Sequence, residues 1–218
     1  VAPSSNVFLA AASQRTEQIR FGALVYLLPF YHPLRLVEEI CILDHLCQGR
    51  LEVGVGRGIS PVEHRLWGLE PEHAKVQFEE AFDVVRQGLG SDVVDFTGEH
   101  YSFKSVPAPM SPAQGRMPGF WYAGNAEYAA AHRMSTIVSG PIESISARAV
   151  EFRRRLAEPT VDWNRGVREP TFAVKRHVFV APTDALAHEA VARAYPIYHQ
   201  HLARLWRQYN ELFPNIDP

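Results

Sequence analysis

Five short apolar runs, separated by stretches with helical spacing, constrain this 218-residue chain more than any other feature. They are IRFGALVYLLPF, RLEVGVGRG, GFWYAG, STIVSG and TFAVKRHVFVA. Each is short, mixes β-branched or aromatic residues with other apolar ones, and most carry or border Gly or Pro, which is how buried strands read. The stretch HPLRLVEEICILDHLCQG opens on Pro33 and closes on Gly49, the punctuation of a helix. NAEYAAAHRM and SISARAVEFRRRLAE follow the third and fourth runs as helices, the second with its arginines late, where they suit the helix dipole. SSNVFLAAASQRTEQ leads as a helix, and TDALAHEAVARAYPIYHQHLARLWRQYNELF ends as one, interrupted near Pro196. Such alternation predicts a parallel sheet with helical crossovers. Runs this apolar are buried on both faces. Two architectures satisfy the pattern: a doubly wound open sheet, or part of a (β/α)8 TIM-type barrel. Residues 1–218 read as a single domain with an excursion at about 59–117, which holds the helix AKVQFEEAFDVVRQGL, a hairpin in VVDFTGEHYSF and the Pro-rich VPAPMSPAQGRMP.

Composition removes several classes of function. Apolar residues make up 46% and charged residues 21%, with a net charge of -2, an ordinary globular balance. Lys and Arg are scattered, so no nucleic-acid surface is expected. Charges break every apolar run well short of about 18 residues, so no membrane span is expected. The opening VAPSSNVFLAAAS lacks a basic start, which argues against a signal peptide. The two cysteines, Cys41 and Cys47, lie six apart in one helical stretch and do not face each other. Free thiols fit a reducing cytoplasm. Ten histidines form no ligand set, His199 and His201 diverging on a helix. No serine sits in a nucleophile elbow.

The stretch CQGRLEVGVGRGISPVEHRLWG carries Gly54, Gly56 and Gly58, with Arg57 between the last two. A dinucleotide fingerprint needs G-x-G-x-x-G opening a helix. Ile59 occupies the third glycine's place, Ser60-Pro61 follows, and the excursion replaces a prompt helix, so a Rossmann dehydrogenase is disfavoured. Crowding against a strand end explains Gly54 but not an arginine just past it. A guanidinium beside bare N–H groups, where parallel strands end, suits a phosphate. Read from residues alone, Arg57 is such a ligand or a surface arginine. Gly124 and Asn125 start a helix straight after a strand, a second place where N–H groups face an anion.

The order RTEQIRFG, LPFYHPLRLVEEICILDHL, GRLEVGVGRG strongly resembles the bacterial luciferase-like flavin monooxygenases. The likeness continues through FEEAFDVVRQGL, FTGEHYSF, PGFWYAGNAEYAA and VFVAPTDALAHEA. It implies a (β/α)8 barrel, here incomplete, with the family's third to seventh strands present. It implies reduced FMN as cofactor, or F420 in some branches, acting on O2 and an organic substrate as a monooxygenase. The family's catalytic histidine would lie before Val1, so no catalytic residue is assigned. The chain is then a fragment of a barrel or a shortened, non-catalytic relative. By the same resemblance Arg57 holds the cofactor phosphate with the N–H groups of Gly58 and Ile59. Leu24 and Val25 match a non-prolyl cis peptide under the flavin ring, and Gly56 a position facing the reactive ring carbon. Gly124 and Asn125 stand where the family often has acidic or hydroxyl residues. Ser139 ends its strand within reach of a flavin. The relatives pair through the segment numbered here 32–45, which implies a homodimer with His32 near Glu38 of a second copy.

Overall fold

A computed structural model describes residues 4–108, 110–115, 117–158 and 169–209. Its elements are helix α1 (Ser5–Ser13), strand β1 (Tyr26–Leu27), α2 (Pro33–Leu46), β2 (Glu52–Gly56), α3 (Pro61–Leu66), α4 (Ala74–Gly90), β3 (Val93–Thr97), β4 (Ser102–Pro107), β5 (Gly119–Ala123), α5 (Ala126–Ala131), β6 (Ser135–Val138), α6 (Ile142–Leu156), β7 (Phe172–Val174), α7 (Asp184–Leu202) and α8 (Arg204–Gln208). The main sheet runs β1-β2-β5-β6-β7, every pair parallel and in chain order. Strands β3 and β4 form a separate antiparallel hairpin in the excursion. Among the described residues the sheet does not close. Its strands lie in chain order, the arrangement of a barrel wall and the second of the two architectures that the alternation allows.

One face of the sheet is packed by helices. Val53, Val55 and Phe120 are fully buried there. Phe120 meets Phe82 of α4 edge-on, with ring centroids 5.1 Å apart. Burying a side chain of this size contributes roughly 1.5–3 kcal/mol. The opposite face carries Glu52, Gly54, Trp121, Ile137 and Ala173, which line an open cavity of about 360 Å³ with residues 20–24. The Glu52 carboxylate is held there between Arg20 Nε at 2.8 Å and Trp121 Nε1 at 2.9 Å.

Side chains from outside the sheet tie its connections down. Arg50 stacks on Phe21 and donates five hydrogen bonds, to the carbonyls of Ser13, Thr16, Ile19 and Cys47 and to the Thr16 hydroxyl. It thereby fixes the end of α1 and the approach to β1 in one step. Buried Asp44 on α2 accepts from the backbone and side-chain amides of Gln114, anchoring the Pro-rich segment. Glu80 on α4 accepts from the N–H groups of Glu99, His100 and Tyr101, which docks the hairpin turn onto the helix. Gly98 is bare because a Cβ there would lie 2.4 Å from the Glu80 carboxyl carbon.

Four sequence expectations change. The first apolar run pairs over only two residues at Tyr26–Leu27, because upstream it meets β2 through single contacts at Phe21 and Ala23. The fifth run pairs only at Phe172–Val174; it is the edge strand, and Val178 and Val180 beyond it are exposed. A helix does follow the glycines promptly: Pro61–Leu66, where Ser60 accepts from Glu63 N–H and Pro61 takes the first turn. Helix α7 runs through Pro196 and stops at Ala203 instead. Ala192, whose carbonyl the proline leaves without a donor, is exposed, so water can satisfy it. The last part of the C-terminal helical stretch, residues 210–213, lies outside the described residues.

Cys41 and Cys47 are both buried and free, and Cys47 sits just past the end of α2. Burial pushes the Cys41 thiol up to about 11, and its Sγ donates to the Met110 carbonyl at 3.2 Å. A raised thiol pKa keeps the group neutral through the physiological range, and two decades above its ordinary value means roughly a hundredfold less thiolate at pH 8. Alkylation at pH 8, followed residue by residue by mass spectrometry, is expected to label Cys41 at least about a hundredfold slower in the native protein than in denaturant. Equal rates would show that the thiol is neither sealed nor perturbed.

Candidate functional site

The sequence-designated residues gather along one edge. In the sheet register Val55 pairs with Tyr122, and Tyr122 with Thr136. Arg57 and Gly124 each lie two residues past their paired strand positions, and Ser139 three past Thr136. The C-terminal ends of β2, β5 and β6 are therefore level, and the three loops that leave them are neighbours.

The loop after β2 is the most elaborated. Arg57 is exposed, and its guanidinium makes no hydrogen bond or ion pair among the described residues. Gly58 has φ +87°, the left-handed region that a glycine adopts without steric cost. A Cβ at Gly58 would also stand 2.9 Å from the His64 ring. The N–H groups of Gly58 and Ile59 donate to no acceptor among the described residues. Ile59 is exposed, and Ser60 then caps α3. His64, buried, closes the loop from below: Nδ1 lies 2.8 Å from the Ser60 carbonyl and Nε2 3.2 Å from the Arg57 carbonyl. The arginine's charge reaches Tyr122, whose phenol burial pushes up and Arg57 partly brings back.

Beside this loop the backbone of residues 22–25 lies against β2. The Leu24–Val25 peptide bond is cis, at the position that the sequence resemblance marked for one. Leu24 is half-exposed and lines the cavity on the open sheet face. Val25 packs onto Gly56, where a Cβ would come within 2.6 Å of Val25 Cγ2. At Gly54 a Cβ would come within 2.4 Å of the Ala23 carbonyl oxygen, which accepts from Gly54 N–H at 3.0 Å.

The loop after β5 is less available to an anion. Gly124 has φ +97°, but its N–H donates to the Ile137 carbonyl at 3.2 Å. Asn125 uses its side chain to accept from Tyr128 N–H, capping the short α5. Both residues border a cavity of about 400 Å³ with Arg148 and Glu151. Ser139 is exposed at the end of β6, and neighbouring Gly140 accepts from Arg176. The edge thus presents a cation with two free N–H donors after β2 and an apolar ledge at Leu24 and Val25. Among the described residues no cluster of three or more His, Cys, Asp or Glu could hold a metal ion.

Helix α3 and His64 escaped the sequence reading, although the signal was present. Ser60-Pro61 followed by Glu63 is a helix start by its spacing. That His64 turns back onto Arg57 needs the folded loop. The Arg20–Glu52–Trp121 contact joins residues up to 101 apart along the chain and carries no local signal.

The contacts at the glycines predict an ordering of stabilities. Gly54→Ala drives a Cβ into a backbone carbonyl and also disturbs a hydrogen bond. Gly56→Ala meets only a side chain that can yield. Denaturant unfolding is expected to show a loss of about 3 kcal/mol for Gly54→Ala and about 1–2 kcal/mol for Gly56→Ala. Equal midpoints for the two variants would remove the close approach of residues 22–25 as the reason for these glycines.

Comparison with known proteins agrees with this fold. The family description of luciferase-like monooxygenases matches residues 1–213. The chain is 37% identical over 155 residues to protein y4wF of Sinorhizobium fredii, covering 69% of this chain and 45% of that one. It is 30% identical over 138 residues to limonene 1,2-monooxygenase of Rhodococcus erythropolis, covering 57% of this chain and 36% of that one. Among solved structures, the oxygenating constituent of 3,6-diketocamphane monooxygenase from Pseudomonas putida, in complex with FMN, superposes with a TM-score of 0.78. That likeness covers 95% of this chain and 62% of the other at 19% identity, and it speaks to the fold alone. The chain therefore spans about half or less of the curated relatives it matches. With the family description matched across almost its whole length, and with parallel strands and a glycine-arginine turn in the order the resemblance requires, the chain belongs to the luciferase-like monooxygenase family.

Proposed function

We propose that this chain is the cofactor-binding part of a flavin-dependent monooxygenase that uses reduced FMN and O2 on a small organic substrate. The observation that carries the reading is the turn after β2. It offers an exposed guanidinium and two free N–H groups at the C-terminal edge of a parallel sheet, where such folds place their sites. A phosphate monoester fits this donor set by charge and by geometry. Arg57, Gly58 and Ile59 would hold the phosphate. Leu24, Val25 and Gly56 would form the ledge against which a flat ring system rests, and Ser139 would border it. Gly124, with its N–H already engaged, contributes less than Asn125. When bound, the reduced flavin supplies the electrons for oxygen activation. This chain's residues would bind it and orient it on the ledge. F420, the alternative cofactor, carries a phosphodiester with one charge fewer and draws less from the same donors.

Two further parts of the reading concern the state of the protein. Ile42, within the segment 32–45, and Leu46, just past it and one turn on along α2, are exposed apolar residues, and they support homodimer formation through that helix. His32 stands at the start of the same helix, and Glu38, one turn before Ile42, is paired within its own chain to Arg35. Two buried free thiols fit the reducing cytoplasm. No described helix is long and apolar enough to cross a membrane.

Flavin fluorescence titration of the full protein tests the phosphate contact. A charge-assisted hydrogen bond contributes roughly 1.5–3 kcal/mol, so Arg57→Ala is expected to weaken FMN about ten- to a hundredfold. Arg57→Lys should recover only part, since a single ammonium replaces a bidentate fork. Riboflavin, which has no phosphate, should bind all three proteins alike. Unchanged FMN affinity in Arg57→Ala would leave the turn as a tight strand end only.

A further inference from the structure

The two nitrogens of His64 face the two carbonyls that bracket the Arg57 turn, Arg57 O at 3.2 Å and Ser60 O at 2.8 Å. The ring is buried, with Phe30 edge-on against it at 5.0 Å and Trp67 stacked on Phe30 at 5.9 Å. Gly58 lies close to the ring, where a Cβ would be 2.9 Å from Cε1. The imidazole is thus fixed by its surroundings before it touches the turn. It is not a solvated side chain that happens to pass two carbonyls.

The consequence follows from peptide planarity. In a trans peptide the carbonyl of one residue and the N–H of the next point in opposite directions within one rigid plane. Drawing the Arg57 carbonyl inward to His64 therefore turns the Gly58 N–H outward, toward the edge of the sheet. That N–H is one of the two free donors of the turn. We infer that His64 is a positioning residue for the anion site: in the tautomer with its proton on Nε2 it donates to the Arg57 carbonyl, which sets the plane of the Arg57–Gly58 peptide and so aims the Gly58 N–H at the cofactor phosphate. The inference rests on the reading of Arg57 as a phosphate ligand. His64 itself, buried beneath the turn, does not touch the phosphate.

Two substitutions separate this role from general support. In Gln the amide nitrogen can stand near the place of Nε2 and keep the Arg57 contact. In Asn it can stand only near the place of Nδ1, beside the Ser60 carbonyl, so the Arg57 contact is lost. The measurement is the ratio of FMN to riboflavin affinity, by fluorescence titration of the full protein, in the parent, His64→Gln, His64→Asn and Arg57→Ala, with circular dichroism reporting the fold. His64→Asn is expected to lower the ratio roughly three- to tenfold, the range of one neutral hydrogen bond, and His64→Gln to stay within about twofold of the parent. Equal ratios in the two His64 variants, or losses shared by both flavins, would overturn the inference. If Arg57→Ala lowers the ratio while His64→Asn does not, His64 is structural and the phosphate reading stands. If Arg57→Ala leaves the ratio unchanged, the phosphate reading fails and this inference with it. Should only one His64 variant fold, its ratio against the parent decides in the same sense.

Discussion

Strand β2 carries no side chain at two successive positions of its open face, Gly54 and Gly56, and the backbone and side chains of residues 23–25 occupy that space. The approach is closest at Gly22, where a Cβ would stand 2.0 Å from the Glu52 carbonyl oxygen. Much else follows from this contact. It brings the Leu24–Val25 peptide to the sheet surface beside the end of β2. It sets Leu24 on the lining of the open cavity. It also fixes where β2 ends, and so where Arg57 emerges. A larger residue on either glycine would push the N-terminal segment off the sheet and separate the ledge from the turn.

Charged and polar groups hold this arrangement from behind. Arg50 gathers four carbonyls at the junction of α1, the approach to β1 and the end of α2. A planar guanidinium can serve several acceptors at once, which an ammonium at the same place could not match. Asp44 and Glu80 do the converse, each carboxylate collecting amides from a segment that has little core of its own. The Pro-rich segment and the hairpin are therefore docked onto α2 and α4 respectively through buried or half-buried acceptors as well as through apolar contact.

The turn of residues 57–60 joins a rigid strand to a short capped helix. Its conformation is set from both sides, by the left-handed Gly58 and by the imidazole of His64. Such a turn keeps its N–H groups oriented in the absence of a ligand, and preorganised donors lose less entropy on binding. The loop after β5 lacks this feature, because its glycine N–H is already used within the sheet.

Most of the architecture was legible in the sequence, because it is local. Gly, Pro and β-branched runs mark strands and their ends, and the spacing of apolar residues marks helices over one or two turns. The parallel order of five strands, the hairpin, and the positions of Arg57, Gly58 and the Leu24–Val25 peptide came from such signals and from the family resemblance they carry. The extents of the strands were not legible. Pairing needs a neighbour, and only the fold shows that the first run meets β2 mainly through isolated contacts or that the fifth lies at an edge. The reason for each glycine, the engagement of the Gly124 N–H and the contact of His64 with the Arg57 carbonyl were likewise decided by tertiary structure. Each depends on which backbone approaches which, across separations that no local pattern encodes. The residue types and their order are set by the sequence alone; the direction in which a peptide plane points is set by what packs beneath it.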